Sequence, residues 1–235
     1  MRARLRALAL AVAALLLFYG LAFSDSSTRT EDTRPLSSEP GAAGYSALRD
    51  WFAGAGVRWL SLRNDHGTLD ALTKDHPTGN LLVITLPGKQ SLLDRDLVRL
   101  HQWVRRGNSL LVLAAVCDSP EWAPVGQARS LSADVSMLSG VDVSRPVPFG
   151  ARFLATPAVS RWQPAVVHPL LRGVDGLEAL SDRTSAPCQS VLPTARGVLS
   201  LLRAAEGRAD GAWLLPRGDG WVLLMAQATP FANRA

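Results

Sequence analysis

One stretch limits what this chain can fold into more than any other: residues 79–118, GNLLVITLPGKQSLLDRDLVRLHQWVRRGNSLLVLAAVCD. Two nearly unbroken apolar runs, 81–86 and 110–116, flank an amphipathic segment. An apolar run without alternation reads as a strand buried on both faces, the condition of a parallel sheet covered by helices. Between the runs, Leu93, Leu97, Leu100 and Val104 recur at helical spacing, which predicts one apolar stripe along a helix. Ser91 stands three residues before Asp94 in the manner of a capping box, and Arg105 and Arg106 suit the negative end of the helix dipole. Gly107 suits the left-handed residue that closes a helix. The stretch therefore predicts a strand, a crossover helix and a second strand, joined right-handedly.

The amino end obeys a different rule. Residues 7–23, ALALAVAALLLFYGLAF, carry no charge and follow MRARLR. A bilayer core needs roughly 17–25 apolar residues in a helix, so the run just suffices, and the basic flank 1–6 belongs on the cytoplasmic side. A retained signal-anchor is expected over a cleaved signal peptide, because Phe18, Tyr19 and Phe23 make an aromatic interfacial end and no clean A-x-A site follows. That orientation sends everything downstream to the periplasmic side of a bacterial inner membrane as a single-pass protein. Residues 24–40, rich in Ser, Thr and charge, read as a flexible linker, and 41–235 as one globular domain.

Within that domain the pattern predicts a helix over 41–53, a strand over 57–62, a short helix over 68–74, the central unit, and an irregular insertion over 118–161 with a helix near 133–138. Further strands are expected over 165–167, 198–204, 212–215 and 221–226, with Arg217-Gly218-Asp219-Gly220 as a hairpin turn. Trp51, Trp59 and Trp103 are expected in the core.

Charge excludes less than it first suggests. The net charge of +5 raises nucleic acid as a partner, but the arginines are scattered among acids and lack aromatic interleaving, so no nucleic-acid partner is expected. The two cysteines, Cys117 and Cys188, and the four histidines, His66, His76, His101 and His168, show no CxxC or HExxH spacing. Neither a metal nor another cofactor is expected. Pro87-Gly88-Lys89 resembles a phosphate loop only in part, since GxxxxGK[ST] is absent.

Residues 81–88 (LLVITLPG), 91–113 (SLLDRDLVRLHQWVRRGNSLLVL), 168–174 (HPLLRGV) and 218–233 (GDGWVLLMAQATPFAN) together resemble the domain of unknown function 4350 family from about Ser38 onward. The most specific element is Leu100, Trp103, Val104 and Gly107, an L-x-x-W-V-x-x-G helix ahead of an apolar strand. The resemblance implies a class I glutamine amidotransferase-like, flavodoxin-like α/β fold, with a mostly parallel sheet, flanking helices and an antiparallel edge, after the membrane helix. It also implies a place beside MoxR-type ATPases, and a longer chain that continues past Ala235 to a second membrane helix.

Under that fold Cys117 falls where an amidotransferase nucleophile stands, at a tight turn after a central strand. The glycines of G-x-C-x-G are absent: Ala115 and Ser119 hold those places. The expected base is a His with Glu two residues on, whereas His168 is followed by Pro169 and Leu170. A small apolar residue at a strand end, and an imidazole that pins its own turn, account for Cys117 and His168 more simply. The expectation is a non-catalytic binding or scaffold protein with protein partners in an envelope complex. The alternatives are a cysteine-dependent hydrolase using Cys117 and His168, and a small-ligand domain using the strand ends at Pro87, Gly88, Lys89 and Asp118.

Overall fold

A computed structural model describes residues 35–62, 68–88, 93–123, 128–141, 153–183, 197–207 and 209–233. Residues Pro35–Ala235 form one compact unit. The apolar run 7–23 lies outside the described residues, as do Ser91, Lys89 and Cys188. Among the described residues, no helix is long and apolar enough to cross a membrane.

The central unit folds as its pattern requires. β1 (Leu81–Leu86) and β2 (Ser109–Ala114) pair in parallel, with α1 (Ser46–Gly54) and α2 (Leu69–Leu72) before them and α3 (Asp94–Arg105) crossing between. Three of the four stripe positions, Leu97, Leu100 and Val104, are buried together with Trp103, whereas Leu93 precedes α3 and is exposed. Gly107 closes the helix at φ +100, a conformation open to glycine at little cost. Asn108 follows and is fully buried. Its side chain accepts from Asn80 N and Nδ2 at 3.0 and 2.9 Å and donates to Pro77 O and Trp103 O at 2.9 and 3.0 Å. One amide thus joins the end of α3 to the turn that leads into β1.

The rest of the chain corrects the expected fold class. α4 (Ala128–Ser139) is followed by β3 (Phe153–Pro164), β4 (Leu177–Arg183), β5 (Leu199–Ala204), β6 (Asp210–Arg217) and β7 (Gly220–Met225). The strands run β1-β2-β7-β6-β5-β3-β4 in one sheet. Only β1/β2 and β2/β7 are parallel; β7/β6, β6/β5, β5/β3 and β3/β4 are antiparallel. The sheet is therefore mostly antiparallel and not the mostly parallel flavodoxin-like sheet of the amidotransferase-like expectation. The physical reason lies in the connections. Parallel neighbours need a long crossover, whereas β5 to β6 and β6 to β7 are joined by connections too short for one, so each of these strands returns antiparallel beside its predecessor.

The sheet also curls. β4 stands at the opposite end of the strand order from β1, yet Asp182 N donates to Ser119 O at 3.0 Å and Ser119 N donates to Ser181 Oγ at 3.1 Å. Arg183 extends this seam, its guanidinium donating to Ala123 O and Glu121 O at 2.7 and 2.8 Å. The last strand has come round to the loop that follows β2.

Strand alternation sorts the core into two faces. Leu110, Val112, Trp213, Leu215, Val222 and Leu224 share one face and are each fully buried. Arg217 on that side reaches Ser139 O at the end of α4 at 2.8 Å, so α4 covers this face and α3 packs beside it. Gly220 permits the close approach, since a Cβ there would stand 2.1 Å from both Val104 O and Asn108 O.

Three local expectations also change. Residues 57–62 alternate but form no strand; Trp59 stacks on Phe52 instead, with centroids 5.8 Å apart. Residues 165–167 lie just beyond β3. The proline-broken stretch 118–161 contains the start of β3, because before Trp162 that strand pairs only with β4, with a register shift between Phe153 and Ala158. A strand with one free edge tolerates Pro157, which has no amide hydrogen to give.

Candidate functional site

The parallel strands β1, β2 and β7 end together, and among the described residues the segments that follow them bring several polar side chains together. Tight backbone bonds shape the site. Ala115 N donates to Leu86 O at 3.0 Å, while Val116 N and Cys117 N both donate to Ala226 O at 3.1 and 2.6 Å. The chain after β2 is thereby pulled against the chain after β7, and Asp118 is carried inward.

Asp118 is fully buried. Its Oδ2 accepts from Ala228 N, Thr229 N and Thr229 Oγ1, each at 2.8 Å. Two successive backbone amides aimed at one carboxylate oxygen are a small anion cradle, filled here by the protein's own side chain. The Thr229 hydroxyl in turn accepts from Leu180 N on β4 at 2.8 Å. One carboxylate thus joins the end of β2 to the segment after β7, and through a hydroxyl to β4, closing the curled sheet.

Tyr45, just ahead of α1, covers this network from the other side. Its hydroxyl donates to Ala228 O, and its ring is nearly fully buried. Burial, then the negative charge of Asp118, raise its pKa above the ordinary value, against a smaller opposing effect from a hydrogen bond with Thr85. The phenol is held protonated, a donor and not a base. On the rim, Glu121 N donates to Asp182 Oδ2 at 2.7 Å.

Cys117 is buried, and its sulfur is tied up in a disulfide. The sequence holds one other cysteine, Cys188. His168 precedes a 3-10 turn, Pro169–Leu171, and its Nδ1 accepts from Leu170 N at 3.2 Å. The imidazole pins its own turn. Pro87 and Gly88 lie half-buried after β1, the Leu86–Pro87 peptide being cis. Of the sequence candidates, the structure brings Asp118, Cys117 and the Pro87-Gly88 turn to the same sheet edge. Among the described residues no group of three or more His, Cys, Asp or Glu side chains is placed to hold a metal.

Tyr45, Thr229 and Asp182 were not singled out by sequence reasoning. The signal for Thr229 is its place after the apolar strand end in LLMAQATP; Tyr45 shows in the sequence only as an apolar position, with Leu48 and Phe52, at helical spacing within 41–53. Gln227 is also fully buried, and its amide has no hydrogen-bond partner among the described residues. It lies against Gly211, where an added Cβ would stand 2.6 Å from Nε2.

The fold and this site define a class: an α/β domain with a curled, mostly antiparallel sheet, whose strand ends are closed by their own side chains. The chain belongs to the family described as Domain of unknown function (DUF4350), whose model matches residues 37–235. Among solved structures, the mmIFT52 N-terminal domain is similar at 11% identity and a TM-score of 0.53, over 87% of this chain and 86% of that one; this shows the fold alone. The Cytoplasmic Protein STM1381 from Salmonella typhimurium LT2 aligns at 12% identity and a TM-score of 0.45, over 78% and 76% of the two chains. The exo-beta-1,4-mannosidase Op5Man5 from Opitutaceae bacterium strain TAV5 aligns at 21% identity and a TM-score of 0.34, over 63% of this chain and 20% of its own. The chain thus spans a fifth of that enzyme's length, and neither of the last two likenesses enters the functional argument. No curated protein matches the chain.

Proposed function

We propose that this chain is a non-catalytic binding or scaffold protein of the bacterial envelope, anchored by residues 7–23 and accessory to a MoxR-type ATPase system. The observation that carries the reading is the state of Cys117. Acyl transfer to cysteine needs a thiolate, and here the sulfur is in a disulfide. The other candidate residues are also committed. The Asp118 carboxylate holds two amides and a hydroxyl, and His168 holds its own turn. The envelope assignment is supported by the disulfide, since such bonds persist in oxidising compartments, and by the basic flank and apolar run at the amino end. The ATPase association is an implication of the family resemblance alone.

Two measurements on the full chain in detergent test the reading. A maleimide applied at neutral pH without reductant is expected to leave the native protein unlabelled. Fast labelling of Cys117, together with an amide-hydrolysing activity lost in Cys117→Ser, sinks the proposal. Stable co-elution with a MoxR-type ATPase encoded beside this chain is expected; elution apart from it at micromolar concentrations removes the accessory role.

A further inference from the structure

An exposed apolar surface begins at Leu36. Leu36 is 56% exposed, Trp51 68%, Val57 47% and Leu60 48%. These residues belong to one surface. The Ser37 and Ser61 hydroxyls meet at 2.8 Å, which sets Leu36 beside the segment that carries Leu60. Trp51 lies edge-on to Phe52 at 5.1 Å, and Phe52 lies against Trp59 at 5.8 Å. Leu48 of α1 packs against the core, but Trp51 stands outside it and is exposed. A contiguous exposed apolar patch of this kind marks an interaction surface.

We infer that this patch rests on the interfacial layer of the bilayer that holds the amino-terminal segment. The inference rests on the anchored reading above. Its support is the place of the patch in the chain. The eleven residues 24–34 connect the apolar run to Pro35, next to Leu36. They span at most roughly 40 Å when extended and about 20 Å as a flexible coil. A tether of that length keeps the patch at high effective concentration near the membrane. The chemistry fits as well. Tryptophan prefers the headgroup boundary, where its ring is apolar and its N–H is wet. Arg58 is exposed beside Val57, and the one acidic neighbour on α1, Asp50, is already paired with Arg49 at 2.7 Å. Glu39, whose N–H donates to Leu36 O, balances Arg58, so the surface is close to neutral and aromatic, which suits the interfacial layer.

The test reconstitutes the full chain in vesicles of phosphatidylethanolamine and phosphatidylglycerol with brominated acyl chains. Flotation reads anchoring, and tryptophan emission reads docking. Docking predicts that wild-type emission is quenched, that Trp51→Phe loses most of the quenchable part, and that Val57→Asp/Leu60→Asp abolishes quenching while the protein still floats. Because these side chains are exposed, near-ultraviolet circular dichroism should be unchanged. A chain that floats but is unquenched, or is quenched equally in the double variant, overturns docking and leaves the anchor standing. A chain that does not float overturns the anchor and docking together. Unquenched emission with cross-linking between copies through position 60 assigns the patch to self-association and also overturns docking.

Discussion

Replacing Asp118 by alanine tests whether the carboxylate closes the fold or serves a reaction. The side chain receives three hydrogen bonds at 2.8 Å in a fully buried setting. Bonds to a charged acceptor contribute about 1.5–3 kcal/mol each, so the set amounts to roughly 4.5–9 kcal/mol. Against this stands the desolvation of a buried carboxylate, which costs several kcal/mol and which the substitution relieves. The net expectation is a loss of about 3–5 kcal/mol, since the two amides and the hydroxyl are left as unsatisfied buried donors at about 1–3 kcal/mol each. Asp118→Asn keeps an acceptor but loses its charge, and should lose about 1–2 kcal/mol. For a domain of this size each kcal/mol moves Tm by about 2–4 °C, so alanine should lower Tm by about 6–20 °C and asparagine by a few degrees. Thermal unfolding at neutral pH, with the disulfide intact, reads both. An alanine variant as stable as wild type, or more so, refutes the reasoning, because removing a side chain kept for function at the expense of stability usually stabilises a protein.

Three further perturbations probe the surrounding structure. Gly220→Ala forces a Cβ to within 2.1 Å of two backbone oxygens; since backbone cannot rotate aside, the cost should reach or exceed the upper end of about 1–3 kcal/mol in urea unfolding. Asn108→Ala leaves the amide of Asn80 and the carbonyls of Pro77 and Trp103 without their side-chain partner, for an expected loss of about 2–4 kcal/mol. Asp134 is buried on α4, and that burial raises its pKa above 3.8. A raised folded value favours the protonated form, so its contribution is full below 3.8 and is lost as pH rises through the folded pKa. Asp134→Asn should therefore raise Tm at pH 7, and the gain should disappear in acid; a constant gain across pH would show that charge is not the cause.

The part of the fold legible in the sequence is the part governed by local pattern. The stripe Leu97, Leu100 and Val104, the terminal Gly107 and the run 110–116 all answer to one strand-helix-strand unit, and each occupies the expected place. What was not legible is the pairing of the remaining strands. β3 carries prolines and long exposed stretches, and its strand character depends on β4, a partner whose LEALSDR sequence shows no strong alternation. The segment 57–62 shows the reverse failure. It alternates well enough to be a strand, but the stack of Trp59 on Phe52 takes the place of a ladder. Trp103 was expected in the core and is 3% exposed, whereas Trp51, given the same expectation, is the most exposed of the three tryptophans in question.

The closing network occupies the donors that a strand-end site of this kind would offer to a ligand. At a strand end in an α/β sheet, free backbone amides invite an anionic ligand or an oxyanion. In this chain Ala228 N and Thr229 N point at the same carboxylate oxygen, so an incoming oxyanion would have to displace an internal charge. The curl of the sheet makes that occupation useful. β4 can reach the β2 and β7 ends only if something there bonds it, and Thr229, oriented by Asp118, supplies the acceptor for Leu180 N. The donors at this strand end are thus turned inward, where they hold the last strand in place.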